Sequence, residues 1–421
     1  MDEAIAGAEQ DKQFRVERSA YSEYTPPVLS ETGLVLLSAD NQTIRALDHN
    51  NTTLWEFTPL SRKYYVRDRP SQVGLFRNYL KSSLDGRFIM FANGVSHSSE
   101  RISHLIVVVD SEWGFPRLMK HPEYDLRFSS TGDYMISGVY RNEGTHPTPV
   151  KVYETDSGRT LWTHEVEAMD IADLGSNEVA YINIANRNPV LTIVELATGE
   201  HALTIPIKWL VPERPRWRHY HHLSWNLTTS KDGTKLLVSV SDSSFDGPSP
   251  SFKHTVMFDR EGRTLWNDMR KMPNRNDAAV KFSPIGFSPN SRYLLIERFQ
   301  WIRGIGIEPQ QYQLIMVNSD TRDVLWTLNF DAYFSYGLML MTDQYIVLSQ
   351  SYEPHTLILG IDVSGQIRDL AQLDRRIVWR GLRVDKPVSD MPQKRYRHSF
   401  LFEEVEQDSI TYTAEYVPFR P

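Results

Sequence analysis

The chain has 421 residues, of which 40% are hydrophobic and 11% aromatic, so it can bury a core and is not a disordered chain. It contains no cysteine, which excludes disulfides, thiolate metal sites, c-type haem attachment and a cysteine nucleophile. A formal net charge of -7 argues against wholesale nucleic-acid binding, and no run of about 18 apolar residues offers a membrane-spanning helix.

The first residues, "MDEAIAGAEQDKQ", lack a basic start and an apolar stretch and do not read as a signal peptide. Residues 1–30 are expected to be an N-terminal extension, and 31–421 a single domain. The absence of cysteine and the many Trp and Tyr residues favour a mature exported bacterial protein, periplasmic or extracellular, with a cytoplasmic protein as the alternative.

From residue 31 onward the chain alternates short strands and tight turns. One phrase is a strand, a Gly or Asn turn and a strand rich in β-branched and aromatic residues, as in "SSLDGRFIMF", "FSSTGDYMIS" and "FSPNSRYLLIE". A second phrase follows it: an alternating strand, a polar turn, then Leu-Trp opening the next strand. The pentapeptide "GRTLW" occurs twice, at Gly158 to Trp162 and Gly262 to Trp266, and Leu-Trp recurs at Trp55 and Trp326.

Joined, the two phrases predict a four-stranded unit, with strands here lettered A to D. Second strands fall near 34–39, 87–92, 133–140, 178–184, 235–241, 292–298 and 344–350. Third strands follow near 43–48, 103–110, 149–154, 189–196, 253–259, 312–318 and 356–363. A repeat of roughly 40 to 60 residues without long helical periodicity predicts an all-β, seven-bladed β-propeller. The C-terminal segment is expected to close the ring by completing the first blade. An eighth blade built from both chain ends is the alternative. Each Leu-Trp is expected to open an outer strand that packs between neighbouring blades, which makes all four tryptophans largely buried.

The Gly-x-x-Leu-Trp turn, at Gly158 to Trp162 and Gly262 to Trp266, resembles the repeat of quinoprotein-dehydrogenase-like propellers, a group that includes a non-enzymatic outer-membrane assembly lipoprotein. The "SPNSRYL" and "SLDGRFI" phrases are similar to WD40-like and TolB-like repeats. The resemblance implies a fold and no activity. The adjacent-cysteine disulfide of the enzymatic quinoproteins cannot form here, so no quinone and no other cofactor or metal is expected.

The long connections are predicted between the last strand of one unit and the first of the next. Segments 58–75, 207–222, 268–283 and 374–398 together carry 20 Lys or Arg against 7 Asp or Glu, on an otherwise acidic chain. Arg62, Tyr64, Arg67, Trp379 and Arg380 belong to them, as does the run "RPRWRHYHH" with Arg214, Arg216, Trp217, Arg218, His219, His221 and His222. In an extended segment the three alternating arginines share a side. Tyr65, Trp209, Tyr220 and Tyr396 are interleaved with these charges, and His398 falls in the last segment. Arginine with aromatics suits an interface core or an anion-binding platform. These twelve residues are the candidate ligand-binding set, and no catalytic residue is assigned. The chain is expected to be a non-catalytic binding or assembly module for an acidic protein surface or an anionic glycan. The alternative is a lyase or sulfotransferase that uses His and Arg on an anionic or sulfated substrate.

Overall fold

A computed structural model describes residues 12–17, 27–38, 43–58, 79–83, 86–96, 102–120, 126–138, 149–166, 168–175, 177–185, 188–211, 223–230, 232–242, 252–271, 279–288, 290–301, 311–330, 337–341, 345–352, 355–362, 364–373, 376–384, 396–405 and 409–416. These residues form eight four-stranded antiparallel sheets. Seven are built from consecutive chain, at 28–57, 79–120, 126–164, 168–206, 223–271, 279–330 and 337–373, and match the seven repeats of the sequence one for one. Among the described residues the one helical element is a 3-10 turn at Lys208–Leu210.

The eighth sheet combines the two chain ends. Its strands are Arg376–Val384, Tyr396–Val405 and Ser409–Tyr416 in order, with Lys12–Glu17 pairing along the last of them. Closure therefore follows the two-ended arrangement. The C-terminal segment does not complete the first sheet, because residues 28–57 already supply all four of its strands. Three C-terminal strands remain, and Lys12–Glu17 covers the edge that Ser409–Tyr416 would otherwise expose. Residues 12–17, inside the stretch read as an extension, are thus an outer strand. Phe14 and Val16 are buried with Leu34, Leu36, Leu47, Ile410 and Tyr412, which fastens the eighth sheet to the first.

First strands of neighbouring sheets approach one another and form the inner ring: Val28–Leu29 meets Tyr79–Ser82 and Arg376–Val384, and Ala168–Asp173 meets Leu223–Thr229. Polar side chains tie this ring. The Asp170 carboxylate accepts the Leu227 backbone N–H at 2.7 Å, and Arg127 donates to the Ile171 carbonyl at 3.1 Å. Outside the ring, the described apolar residues gather into seven clusters, each at a different seam, rather than one central core. Alternating strands present one face to each neighbouring sheet, so both faces are apolar.

The Leu-Trp strands do occupy equivalent places. Trp55, Trp162, Trp266 and Trp326 each lie on the fourth strand of a sheet, opposite Ala46, Val152, Met257 and Met316, directly before a register shift. Three indole N–H groups donate into the next sheet: Trp55 to the Ser111 carbonyl at 2.6 Å, Trp162 to Leu196 at 2.8 Å and Trp266 to Ser319 at 2.8 Å. The turn that follows each acceptor lies on the ring. Gly199 has φ +74°, and a Cβ there would sit 2.7 Å from Trp162 Cγ, so only glycine satisfies both backbone and space. Gly114 meets Trp55 and Gly365 meets Trp326 in the same way.

The second "GRTLW" carries both halves of this contact: Gly262 receives the outer strand of the preceding sheet, and Trp266 inserts into the next. Where the fourth sheet lacks Trp, Leu203 stands at the equivalent position, and Gly262 packs on Ile205 and Leu203.

Burial differs among the four tryptophans. Trp55 and Trp326 are buried, whereas Trp162 and Trp266 are only partly so. At Trp266 the turn partner is Arg322, itself at φ 64°, whose guanidinium lies 5.6 Å from the ring centroid and pairs with Asp268 at 2.6 Å. A cation on a flexible stem shields the indole less completely than an apposed backbone turn. Trp162 shares its seam with polar neighbours, His164 among them, at 4.6 Å between ring centroids.

Trp55→Ala and Trp326→Ala should each cost about 3–5 kcal/mol, and Trp162→Ala or Trp266→Ala less, as read from denaturant unfolding. Gly199→Ala should lower the melting temperature through both its left-handed backbone and the clash with Trp162, whereas Ala at an ordinary exposed turn position should not. Phe14→Ala should also cost about 3–5 kcal/mol, and the loss should appear first as faster amide exchange in Ser409–Tyr416.

Candidate functional site

Antiparallel strands arranged radially put the A–B and C–D turns on one face of the ring, and the D–A and B–C connections on the other. Apart from residues 385–395, which join the first and second strands of the eighth sheet and so do not belong to a D–A segment as expected, the connections on the turn face are short, and the face is heavily cross-tied between sheets. Arg87 pairs with Asp156 at 2.6 Å and Arg260 with Glu178 at 2.6 Å, each pair spanning two sheets. Lys235, nearly buried, donates to the Ser291 carbonyl at 2.7 Å and to the Ser319 hydroxyl, and pairs with Asp320 at 2.9 Å. The same turn holds Asp232, which accepts hydrogen bonds from Ser230, Ser291 and both the backbone and the hydroxyl of Thr234. Desolvation raises its pKa, but these donors outweigh it and hold the carboxyl down at about 2. Among the described residues of these turns, ten carboxylates stand against six Lys and Arg.

On the opposite face, the described part of the candidate site is the start of the segment linking the fourth and fifth sheets. After His201–Pro206 the chain makes the 3-10 turn, with Ile207, Leu210 and Val211 buried in the seam. The Ile207 N–H donates to the Pro189 carbonyl at 3.1 Å. From the fifth sheet, the buried His254 donates its Nδ1–H to the Leu210 carbonyl at 2.8 Å. That bond fixes the imidazole tautomer and pins the turn. Trp209 stands edge-on to His254 and Phe258, with ring centroids 5.5 and 6.3 Å away, and remains 48% exposed. Lys208 beside it is exposed. The chain that leaves this clamp runs into the Arg-rich stretch.

The sequence-derived site residues divide into two groups. Arg62, Tyr64, Arg67, Arg214, Arg216, Trp217, Arg218, His219, His221 and His222 lie outside the described residues. Trp379 and Arg380 do not belong to a D–A loop as expected. They lie in the strand Arg376–Val384, paired with Leu401 and Phe400, and this is the inner strand of the eighth sheet. His398 is likewise in a strand, opposite Leu382. The cause of the misreading is a cation-rich strand: "RIVWRGLRV" alternates Arg with apolar residues, and its sheet partners are supplied by both ends of the chain.

The sequence reading did single out Trp209 as an aromatic of this face, but not its clamp. His254 lies on a different sheet, and no local signal links it to residue 210. A second cluster went unnoticed for the same reason: His164, Tyr181 and His201 meet across the seam between the third and fourth sheets. Among the described residues, no three His, Asp or Glu side chains come together as a metal site, and no helix is long and apolar enough to cross a membrane.

Eight radially arranged four-stranded sheets, tied around an inner ring of first strands, define a β-propeller. The sequence matches no family model and no curated protein. Among solved structures, the chain is similar to BamB from Moraxella catarrhalis at TM-score 0.50 and 12% identity, over 96% of this chain and 100% of that one. It is also similar to the Dos1 propeller at TM-score 0.48 and 11% identity, over 98% and 97% of the two chains. A third likeness is to the quinohemoprotein alcohol dehydrogenase ADHIIG from Pseudomonas putida HK5, at TM-score 0.47 and 9% identity, over 97% of this chain and 77% of that one. At such identities the likeness is one of fold.

The Asp232 cluster predicts an acid limb in the stability profile. A carboxyl whose pKa falls from 3.8 to about 2 on folding contributes stability that is whole above pH 3.8 and is lost as pH drops toward 2. Thermal midpoints measured between those values should fall for the parent protein and flatten for Asp232→Asn, with Ser291→Ala intermediate.

Proposed function

We propose that this propeller is a non-catalytic binding or assembly module, whose D–A face engages an acidic protein surface or an anionic glycan. The contacts would be made by Arg214, Arg216 and Arg218 with Trp217 and the neighbouring histidines His219, His221 and His222, supported by Arg62, Tyr64 and Arg67. The observation that carries the reading is the clamp before this stretch. Trp209 is held half-exposed on a turn whose other apolar residues are buried. A large indole kept in solvent by a rigid support is a contact surface rather than a packing residue. The charge distribution supports the same side. The described turns of the turn face carry more carboxylates than Lys and Arg, so an acidic partner would be repelled there and steered to the other face. A rigid scaffold with most of its long segments on one side is also the arrangement in which loops carry recognition. A cysteine-free chain of this kind suits an exported bacterial protein, where no disulfide is needed to hold the ring.

The test uses heparin and polyglutamate as probes of the two anion classes. Retention should fall steeply with salt, because at about 0.1 M ionic strength charges beyond about 10 Å are screened. Replacing Arg214, Arg216 and Arg218 together by Ser should abolish most of the retention while shifting stability by no more than about 0.5 kcal/mol. Trp209→Ala should weaken retention without changing its salt dependence, since it removes contact area and no charge. Unaltered retention of the triple arginine variant at every salt concentration would overturn the assignment of this face.

A further inference from the structure

The seam between the third and fourth sheets holds three ionisable side chains that the binding face does not use. His164 ends the outer strand Thr160–His164 of the third sheet. Its Nδ1 lies 2.9 Å from the hydroxyl of Tyr181, which belongs to the second strand of the fourth sheet and is fully buried. Its ring stacks on His201, from the outer strand of the fourth sheet, at 5.1 Å between centroids and 15° between planes. On its other side the ring lies 4.6 Å from Trp162, the indole seated on Gly199.

The hydrogen-bond pattern assigns the protons. Thr192 bonds the Tyr181 oxygen in the manner of a donor, favouring the ionised phenol, yet burial dominates and pushes the phenol up to about 12. Tyr181 therefore keeps its proton and donates it to His164 Nδ1. The backbone of Gly199 bonds the imidazole so as to favour its charged form, as a carbonyl accepting from the remaining ring nitrogen does. The neutral Nε2–H tautomer satisfies both partners. Protonation puts a hydrogen on Nδ1, so the bond that Tyr181 donates is lost, and the phenol, whose oxygen already bonds Thr192, must turn its own hydrogen elsewhere. It also places a cation against His201.

We propose that this seam is an acid-sensitive latch, in which protonation of His164 breaks the Tyr181 bond and unseats Trp162 from the Gly199 turn. The groups facing His164 across the seam are Tyr181, Thr192, His201 and the Gly199 carbonyl. On its own side lie Trp162 and, on the paired strand, Lys151, while Glu165 and Glu200 are exposed. No carboxylate among them offsets the new charge. Burial first, and then His201, hold the imidazole below its ordinary value of 6.5. The folded chain thus binds fewer protons than the unfolded chain in mildly acidic solution. The contribution of the seam is whole above pH 6.5 and drains away as pH falls toward the folded-state pKa. The inner-ring ties, from Asp170 to the Leu227 N–H and from Arg127 to the Ile171 carbonyl, are independent of this imidazole. The outer rim would open while the ring stays closed.

Hydrogen exchange of the full chain at about pH 5.5 and about pH 7.5, corrected for intrinsic rates, reads the latch directly. In the parent, residues 160–166 and 197–206 should exchange several-fold faster at the lower pH, relative to the seam between the first and second sheets. His164→Gln should abolish that difference. His201→Gln and Tyr181→Phe should each raise the midpoint of the His164 ring resonance followed by NMR, the first by removing a like charge and the second by removing the donor that requires a neutral acceptor. Equal loosening in His164→Gln, or no selective loosening in the parent, would overturn the proposal. If His164→Gln fails to fold, the two midpoint shifts decide: an unmoved His164 midpoint in both remaining variants refutes the latch.

Discussion

One contact recurs with variation at five of the eight seams among the described residues: an aromatic or branched side chain on the outer strand of one sheet, pressed on a left-handed turn of the next. The contact combines burial, a hydrogen bond from the indole to a carbonyl and a backbone shape that leaves no room for a side chain. Each component is modest alone, since a neutral hydrogen bond nets about 1 kcal/mol. Together they set the angle and register at which sheets can meet. From the third sheet to the seventh the chain of contacts is unbroken, through Trp162 on Gly199, Leu203 and Ile205 on Gly262, Trp266 on Arg322 and Trp326 on Gly365.

Because that contact lies on the turn face, the two faces of the molecule differ in character. The turn face spends its polar groups on holding neighbouring sheets together, as Lys235 and Asp232 do between the fifth and sixth. The other face carries most of the longer connections, and the described start of the one between the fourth and fifth sheets is supported from beneath by buried Ile207, Leu210 and Val211. Rigidity on one side allows recognition on the other without loss of the ring. The His164 seam adds a place where this rigidity depends on pH.

Repetition made the blades readable in the sequence. Leu-Trp after a polar turn recurs because one packing problem recurs, and seven units follow from it directly. Closure was harder to read. "KQFRVE" is an unremarkable short strand, and its partner begins almost 400 residues later, as the hydrogen bond from Arg15 to Ser409 shows. The same distance left the eighth sheet as the alternative rather than the expectation, and turned Trp379 and Arg380 into apparent loop residues. The candidate site was legible only as composition. Trp209 stood out as an aromatic among cations, but the support from His254 depends on a carbonyl contact that no spacing rule encodes. The cluster of His164, Tyr181 and His201 was invisible for a related reason: its members sit on three different strands, and only the pairing of two sheets makes them neighbours.

The two-ended sheet also has a consequence for biosynthesis. Lys12–Glu17 leaves the ribosome almost 400 residues before its partner Ser409–Tyr416. Over that interval Phe14 and Val16 have no strand to pair with, and the first sheet presents Leu34 and Leu36 to solvent on the side they will later cover. Nascent chains with uncovered apolar edges are prone to wrong pairing, the more so in topologies dominated by distant contacts. Successive sheets can dock one on another as they emerge, but the last seam must wait until Ser409–Tyr416 has been made. Newly made protein will therefore pass through an open, C-shaped stage whose lifetime is set by the rate of elongation, and chaperone demand should be concentrated there.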